Sequence, residues 1–92
     1  MKILAVCGFG VGSSMILKMT LQKVFKEKNI EANIENTDIS THIDYVADAI
    51  FTSYQFVDDL KKLTDVPIYP IRRYSDKEEV KKQVEKLLES QQ

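Results

Sequence analysis

Three features of this 92-residue chain predict a single three-layer α/β domain with a four-stranded parallel sheet, order 2-1-3-4, and helices on both faces. Short apolar runs alternate with segments whose apolar residues recur at helical spacing, the pattern of parallel strands joined by right-handed crossovers. The first run, Ile3 to Val6, is unbroken, as in a central strand covered on both faces. The second and fourth runs carry edge signals, which leaves the first and third for the middle.

KILAV, residues 2–6, is strand 1. From Ser13 to about Lys28 the period changes, and Leu17, Leu21, Val24 and Phe25 share one helical face. In IEANIENT, residues 30–37, Ala32 and Ile34 alternate with Asn33 and Glu35, which suits a half-exposed edge strand. DISTHIDY, residues 38–45, is polar and reads as a loop with a helical turn after Thr41. ADAIFTS, residues 47–53, supplies strand 3 with Ala49, Ile50 and Phe51 at its centre. Residues 54–63 are helical, with Phe56, Val57, Leu60 and Leu63 at helical spacing. VPIYPI, residues 66–71, belongs at a sheet edge because Pro67 and Pro70 cannot donate to a ladder. Ser75 with Glu78 reads as a capping box. The helix it opens turns Val80, Val84, Leu87 and Leu88 inward and its lysines and glutamates outward.

The whole chain, residues 1–92, amounts to one domain. Chains of this size bury roughly 60–65% of their extended surface, enough for one core. Hydrophobic content of 43% and charged content of 29% are those of a soluble globular protein. A net charge of −1 leaves no basic excess to neutralise phosphates, which argues against nucleic acid as the main partner. The single cysteine cannot close an internal disulfide and points to a reducing compartment. MKILAVC has too few apolar residues for a signal peptide or a membrane span. The expected location is the cytoplasm, with no direct membrane insertion and any membrane role exercised through a partner. No Cys/His/Asp/Glu cluster has metal-ligand spacing, so no metal and no cofactor is expected.

In a sheet of order 2-1-3-4 the topological switch lies between strands 1 and 3, outside their carboxyl ends, where ligands bind. CGFGVGSS, residues 7–14, leaves strand 1 at that point, and Thr52, Ser53 and Tyr54 leave strand 3 beside it as a possible site rim. Gly8, Gly10 and Gly12 let the loop, with Phe9 and Val11 between them, aim its N–H groups at one centre. A helix opening near Ser13 directs its unpaired N–H groups and dipole to the same place, and the Ser13 and Ser14 hydroxyls add donors. The result is an anion cradle of phosphate size with Cys7 at its rim. Such surroundings favour a thiolate, and the same donors hold the oxygens of a phosphoryl group on sulfur. Cys7 is therefore the candidate phosphoryl-accepting nucleophile, expected at an exposed rim where partners reach it.

Other glycine loops fit less well. Ser13 stands where the dinucleotide fingerprint G-x-G-x-x-G needs its last glycine, and no Gly-Lys-Ser/Thr follows for a nucleotide P-loop. A cysteine phosphatase or arsenate-reductase-like enzyme is the alternative. Its C-x5-R signature places an arginine six residues after the cysteine to grip phosphate bidentately, and here that residue is Ser13. The aspartate considered as its general acid, Asp65, precedes strand 4 and lies at the wrong end of the sheet. A loop missing both parts holds a phosphoryl group without readily hydrolysing it, which describes a carrier.

ILAVCGFGVGSSMILKM, residues 3–19, resembles the active-site segment of the IIB subunits of the bacterial phosphoenolpyruvate-dependent sugar phosphotransferase system (PTS). The likeness is to the lactose/ascorbate group and within it to ascorbate-type IIB proteins, and ADAIFTS resembles the third strand of that family. Phe9 departs from the small or polar residue expected there in ascorbate-type members, which leaves the sugar open. The resemblance implies that Cys7 takes a phosphoryl group from a phosphohistidine on a IIA partner. It implies delivery of that group to a sugar held by a membrane IIC transporter, with Gly8–Ser14 as the phosphate cradle.

Five further residues stand out along the chain. Met15 and Met19 lie off the main apolar stripe of the first helix, suited either to docking or to packing against a neighbouring helix. Arg72 and Arg73, just past strand 4, share the carboxyl rim and offer charge to a partner or form an ordinary turn. His42, the one histidine, lies in a polar segment without a motif and reads as a surface residue.

Overall fold

The computed structural model describes residues 1–7, 12–38 and 47–90, with side chains for 1–7, 15–37 and 47–90. The unbroken apolar run forms β1 (Lys2–Cys7), which pairs on one edge with β2 (Asn33–Asp38) and on the other with β3 (Ala49–Thr52). β4 (Ile68–Pro70) pairs with the outer edge of β3. All pairs are parallel and the order is β2-β1-β3-β4, as predicted. The register sets Val6, Thr52 and Pro70 level with one another, so the strands end together at the carboxyl edge.

Pro70 shows why its strand is at the edge. Ile71 donates its N–H to the Thr52 carbonyl at 2.7 Å, and the Pro67 carbonyl accepts from Ile50 at 2.9 Å. By the two-residue repeat of a strand, the nitrogen of Pro70 then faces outward, where no donor is needed.

Two helices cover one face of the sheet, α1 (Gly12–Glu27) and α3 (Lys77–Ser90), and α2 (Val57–Leu63) covers the other. The β1-to-β2 and β3-to-β4 connections step in opposite directions across the sheet. Crossovers of one hand must then place α1 and α2 on opposite faces. Alternation along each strand splits the core accordingly. Ile3, Ala5, Ala49 and Phe51 meet Leu17, Leu21, Val24 and Phe25 of α1 and Val80, Val84 and Leu87 of α3. Leu4, Val6 and Ile50 meet Leu60 of α2 in a smaller cluster. Leu63, expected on the inner face of this helix, is 58% exposed, because α2 ends there and lies beyond the sheet's cover. The first turn of the expected helix, Tyr54–Phe56, is a 3-10 turn.

Helix ends are closed by side chains and backbone. After α1, Asn29 adopts a left-handed φ of 57°, Ile30 donates to the Phe25 carbonyl at 3.0 Å and Asn29 to the Lys26 carbonyl at 3.0 Å. This is a Schellman motif with asparagine in the place glycine usually fills. At the start of α3 the cap is Asp76 rather than Ser75. The Asp76 carboxylate accepts from the Glu78 amide at 3.1 Å and the Glu79 amide at 3.2 Å, and its carbonyl accepts from Val80 at 3.1 Å. SDKEE fits the capping pattern in two registers; the charged acceptor, favoured by the helix dipole, takes the cap. Glu79 then accepts the Arg72 and Arg73 amides on its carboxylate, at 2.7 and 2.9 Å, and ties the β4–α3 connection down.

The charged face of α3 reaches α1 through Lys77–Glu27 at 2.8 Å and Lys28–Glu85 at 3.8 Å. The Lys77 hydrogen bond holds the Glu27 carboxyl below its usual range. Among the described residues, no helix is long and apolar enough to cross a membrane. Replacing Asp76 by Ala should cost about 1 kcal/mol of stability in urea unfolding, the usual worth of an N-cap. Ser75→Ala should leave the midpoint unchanged.

Candidate active site

Cys7 is the last residue of β1 and is 2% exposed. The expectation of a thiol at an exposed rim is therefore corrected. The strand runs one residue further than KILAV, and Cys7 is still paired, level with Asp38 of β2, in a strand buried from Ile3 onward. Asp38, expected to open the polar loop DISTHIDY, is instead the last residue of β2, which extends one residue beyond the IEANIENT run and brings its backbone opposite the cysteine.

α1 opens at Gly12, close to the predicted Ser13, and carries no acidic residue in its first turn that would oppose the dipole. The cradle residues Gly8, Phe9, Gly10 and Val11 lie outside the described residues, as do the Ser13 and Ser14 side chains. His42 and the expected turn after Thr41 also lie outside them.

β3 places its end beside β1. Thr52 is wholly buried, and its hydroxyl donates to the Val6 carbonyl at 2.9 Å. It straps β3 to the residue that precedes Cys7. Ser53 follows, half-buried, with its hydroxyl oxygen accepting from the Gln55 amide at 3.4 Å to cap the 3-10 turn. Tyr54 is 52% exposed, and the Arg72 guanidinium lies 5.6 Å from its ring centroid, within cation–π range. Arg72 is thus brought from β4 to the end of β3, nearer the switch point than its place in the sequence suggests. Asp65 is exposed at the opposite, amino end of the sheet, as expected.

Tyr74 is the described residue that sequence reasoning missed. It lies between β4 and α3, half-buried, and packs against the larger core cluster. Burial holds its phenol above the usual tyrosine value, and negative charge on Cys7 pushes the same way. The Ser53 amide and the Ser53 and Thr52 hydroxyls pull in the opposite direction. The positional signal was available, because Tyr74 follows strand 4 as closely as the two arginines beside it.

Met15, Ile16 and Met19 are 49%, 49% and 52% exposed along the first half of α1, so they do not pack against a neighbouring helix. A groove of about 850 Å³, lined by Met1, Phe25, Lys26, Ile30 and Ala32 among others, lies at the amino end of the sheet, away from Cys7. Among the described residues no group of His, Cys, Asp and Glu is placed to hold a metal ion.

Known structures of two classes share this fold. The lactose-specific IIB domain of the phosphotransferase system of Streptococcus pneumoniae superimposes with a TM-score of 0.69 at 17% identity, covering 100% of this chain and 98% of that one. A IIB subunit of the Escherichia coli K12 phosphotransferase system gives 0.57 at 18% identity, covering 98% and 94%. A low-molecular-weight phosphotyrosine phosphatase from Vibrio cholerae gives 0.56 at 11% identity, covering 98% and 95%. These likenesses concern the fold.

Sequence decides between the two classes. Residues 2–86 match the PTS system lactose/cellobiose-specific IIB subunit family, and the chain belongs to that family. It is also 27% identical over 88 residues to the ascorbate-specific PTS system EIIB component of Mycoplasma pneumoniae, covering 94% of this chain and 93% of that one. Membership carries a role in sugar-specific phosphoryl transfer alongside IIA and IIC components.

Removing the Thr52 hydroxyl should loosen this end of the sheet. Thr52→Val should cost about 1–3 kcal/mol in urea unfolding, because a buried hydrogen bond is lost at constant volume. Thr52→Ser should retain most of it.

Proposed function

We propose that residues 1–92 form one IIB domain that carries a phosphoryl group on Cys7, on the cytoplasmic face of a membrane-held IIC partner. The observation that carries this is Cys7 itself, set at the end of β1 just ahead of the N-terminus of α1, within a chain of the IIB family. The Cys7 sulfur attacks phosphorus of the IIA phosphohistidine. The N–P bond breaks as the S–P bond forms, and the imidazole regains the proton that the thiol gives up. Delivery reverses the pattern: a sugar hydroxyl attacks, the S–P bond breaks, and the hydroxyl proton restores the thiol. Catalysis here is positioning and charge stabilisation.

Gly8–Ser14 forms the cradle for the phosphoryl oxygens, with the amides at the start of α1 completing it. Thr52 acts from behind by holding the strand, while Ser53, Tyr54 and Arg72 form the rim. Because Cys7 is 2% exposed, transfer includes a step that uncovers the sulfur as a partner docks. Met15, Ile16 and Met19 provide adaptable apolar contacts for IIA, and Arg72 and Arg73 face it with positive charge. The sugar is ascorbate-like or another carbohydrate; ascorbate is favoured by the Mycoplasma relative. The phosphatase alternative is supported by fold alone, and Ser13 stands where its arginine would be.

Intact mass after incubation with phosphoenolpyruvate, the general phosphotransferase proteins and an ascorbate-type IIA should show one added phosphoryl group. Cys7→Ser should abolish it without unfolding the chain. Steady phosphate release from an aryl phosphate, without labelling, would favour the phosphatase. Met19→Asp should weaken transfer from IIA roughly tenfold through KM, the scale of an interface contact loss, with the melting temperature unchanged.

A further inference from the structure

We propose that Glu79 is a positioning residue for partner docking. By holding the backbone of Arg72 and Arg73, it sets the Arg72 guanidinium over the Tyr54 ring as a fixed cation that receives a carboxylate of the IIA partner. The proposal rests on the reading above that the carboxyl rim faces IIA. It begins from the way α3 grips the segment after β4. The two Glu79 carboxylate oxygens are divided between neighbouring amides, one accepting from Arg72 at 2.7 Å and the other from Arg73 at 2.9 Å. One turn further along the same helix face, the Gln83 side chain donates to the Pro70 carbonyl at 3.1 Å. From the other side, the fully buried Ile71 donates its N–H to the Thr52 carbonyl at 2.7 Å. The backbone of residues 70–73 is thus fastened to both α3 and β3.

On this fastened backbone Arg72 and Arg73 are exposed. The Arg72 guanidinium lies 5.6 Å from the Tyr54 ring centroid, and Tyr54 and Glu79 border one hollow together with Lys82 and Gln83. Glu79, Arg72 and Tyr54 therefore form one constellation, drawn from α3, the β4–α3 connection and the end of β3. Tyr54 is steadied in turn by the 3-10 turn that the Ser53 hydroxyl caps. A guanidinium resting on a ring gives up one face to it. Its N–H donors stay free at the edge, where a carboxylate takes two of them at once.

The division of charge favours an acidic partner. Glu79 commits both oxygens to backbone amides, and among the described residues neither Arg72 nor Arg73 forms an ion pair with a carboxylate. The positive charge at this rim is left for a partner to meet. Held on a ring rather than free in water, the Arg72 side chain has less rotamer freedom left to lose when an anion binds. Burial decides which anion this is. Cys7 is 2% exposed whereas Arg72 stands on the surface, so the guanidinium meets the partner's own surface carboxylate rather than the phosphoryl group in transit.

The test follows phosphoryl acceptance from an ascorbate-type IIA in Glu79→Gln, which keeps the side-chain shape but has one oxygen for two amides. The variant should melt within about 10 °C of the wild type. Loss of a negative charge facing an acidic partner would by itself tighten docking, so positioning and simple charge predict opposite signs. KM for IIA should rise roughly threefold to tenfold with kcat unchanged. Glu78→Gln, which removes a charge from the same turn, should not raise it. In an Arg72→Ala background the Glu79→Gln change should add nothing, because it acts through that guanidinium. An unchanged or lowered KM in Glu79→Gln, or its full effect without Arg72, overturns the proposal. A loss of affinity seen with phosphorylated IIA but not with unphosphorylated IIA overturns the carboxylate as target and points to the phosphoryl group. A second measurement needs no partner. The near-ultraviolet circular dichroism component lost in Tyr54→Phe should change alike in Glu79→Gln and Arg72→Ala. A component that ignores Glu79→Gln overturns the positioning role. If it responds but the wild type neither binds IIA nor accepts a phosphoryl group from it, the reading of the rim fails and the docking role falls with it. The hold of Glu79 on Arg72 would then still stand.

Discussion

Everything in this molecule depends on β1 being paired on both edges and covered on both faces. A strand in that position has no freedom of register, because a slip of one residue would exchange the residues facing α1 and α3 with those facing α2. Ile3 and Ala5 go to one side, Leu4 and Val6 to the other, and the last residue, Cys7, inherits a fixed place. The sulfur proposed to carry the phosphoryl group stands at the end of a strand paired on both edges.

Around that fixed point the site is assembled from connections tied down by their own bonds. Thr52 holds β3 to β1 with a buried hydroxyl, and Ile71 continues the pairing past the end of β4. Glu79 reaches back from the first turn of α3 to take two backbone amides, a role that joins a helix start to a loop through one carboxylate. Surface ion pairs such as Lys77–Glu27 add little, because both partners keep access to water. Order at the carboxyl edge comes from hydrogen bonds that the backbone would otherwise leave unmade.

The sheet order is legible in the sequence because edge strands carry marks of being at the edge: alternation in β2, and prolines in β4. Cys7 is legible as a candidate through the glycines after it, and the long apolar face of α1 through its spacing. The burial of Cys7 is not, since nothing local shows that pairing extends to Asp38. Asp76 and Ser75 differ by one residue within a motif that fits either, and only the observed cap shows that the charged acceptor takes it. Tyr74 escapes for a different reason. Its neighbours come from β1 and β3, far away along the chain, and a lone tyrosine after two arginines has no spacing to betray it.

Among the described residues the two faces of the sheet are unequally covered, and this has a consequence for how the domain opens. One face carries two helices and most of the large buried side chains; the other carries the seven residues of α2, of which Leu60 is the buried one. Local opening costs least where the fewest apolar contacts must be broken. Amide exchange will therefore not be uniform: protection will be lost first in α2 and the turn before it, and last in β1 and the inner side of α1. The end of β3 can thus loosen toward α2 while the α1 side stays closed, giving the carboxyl edge of the sheet one stiff wall and one compliant wall.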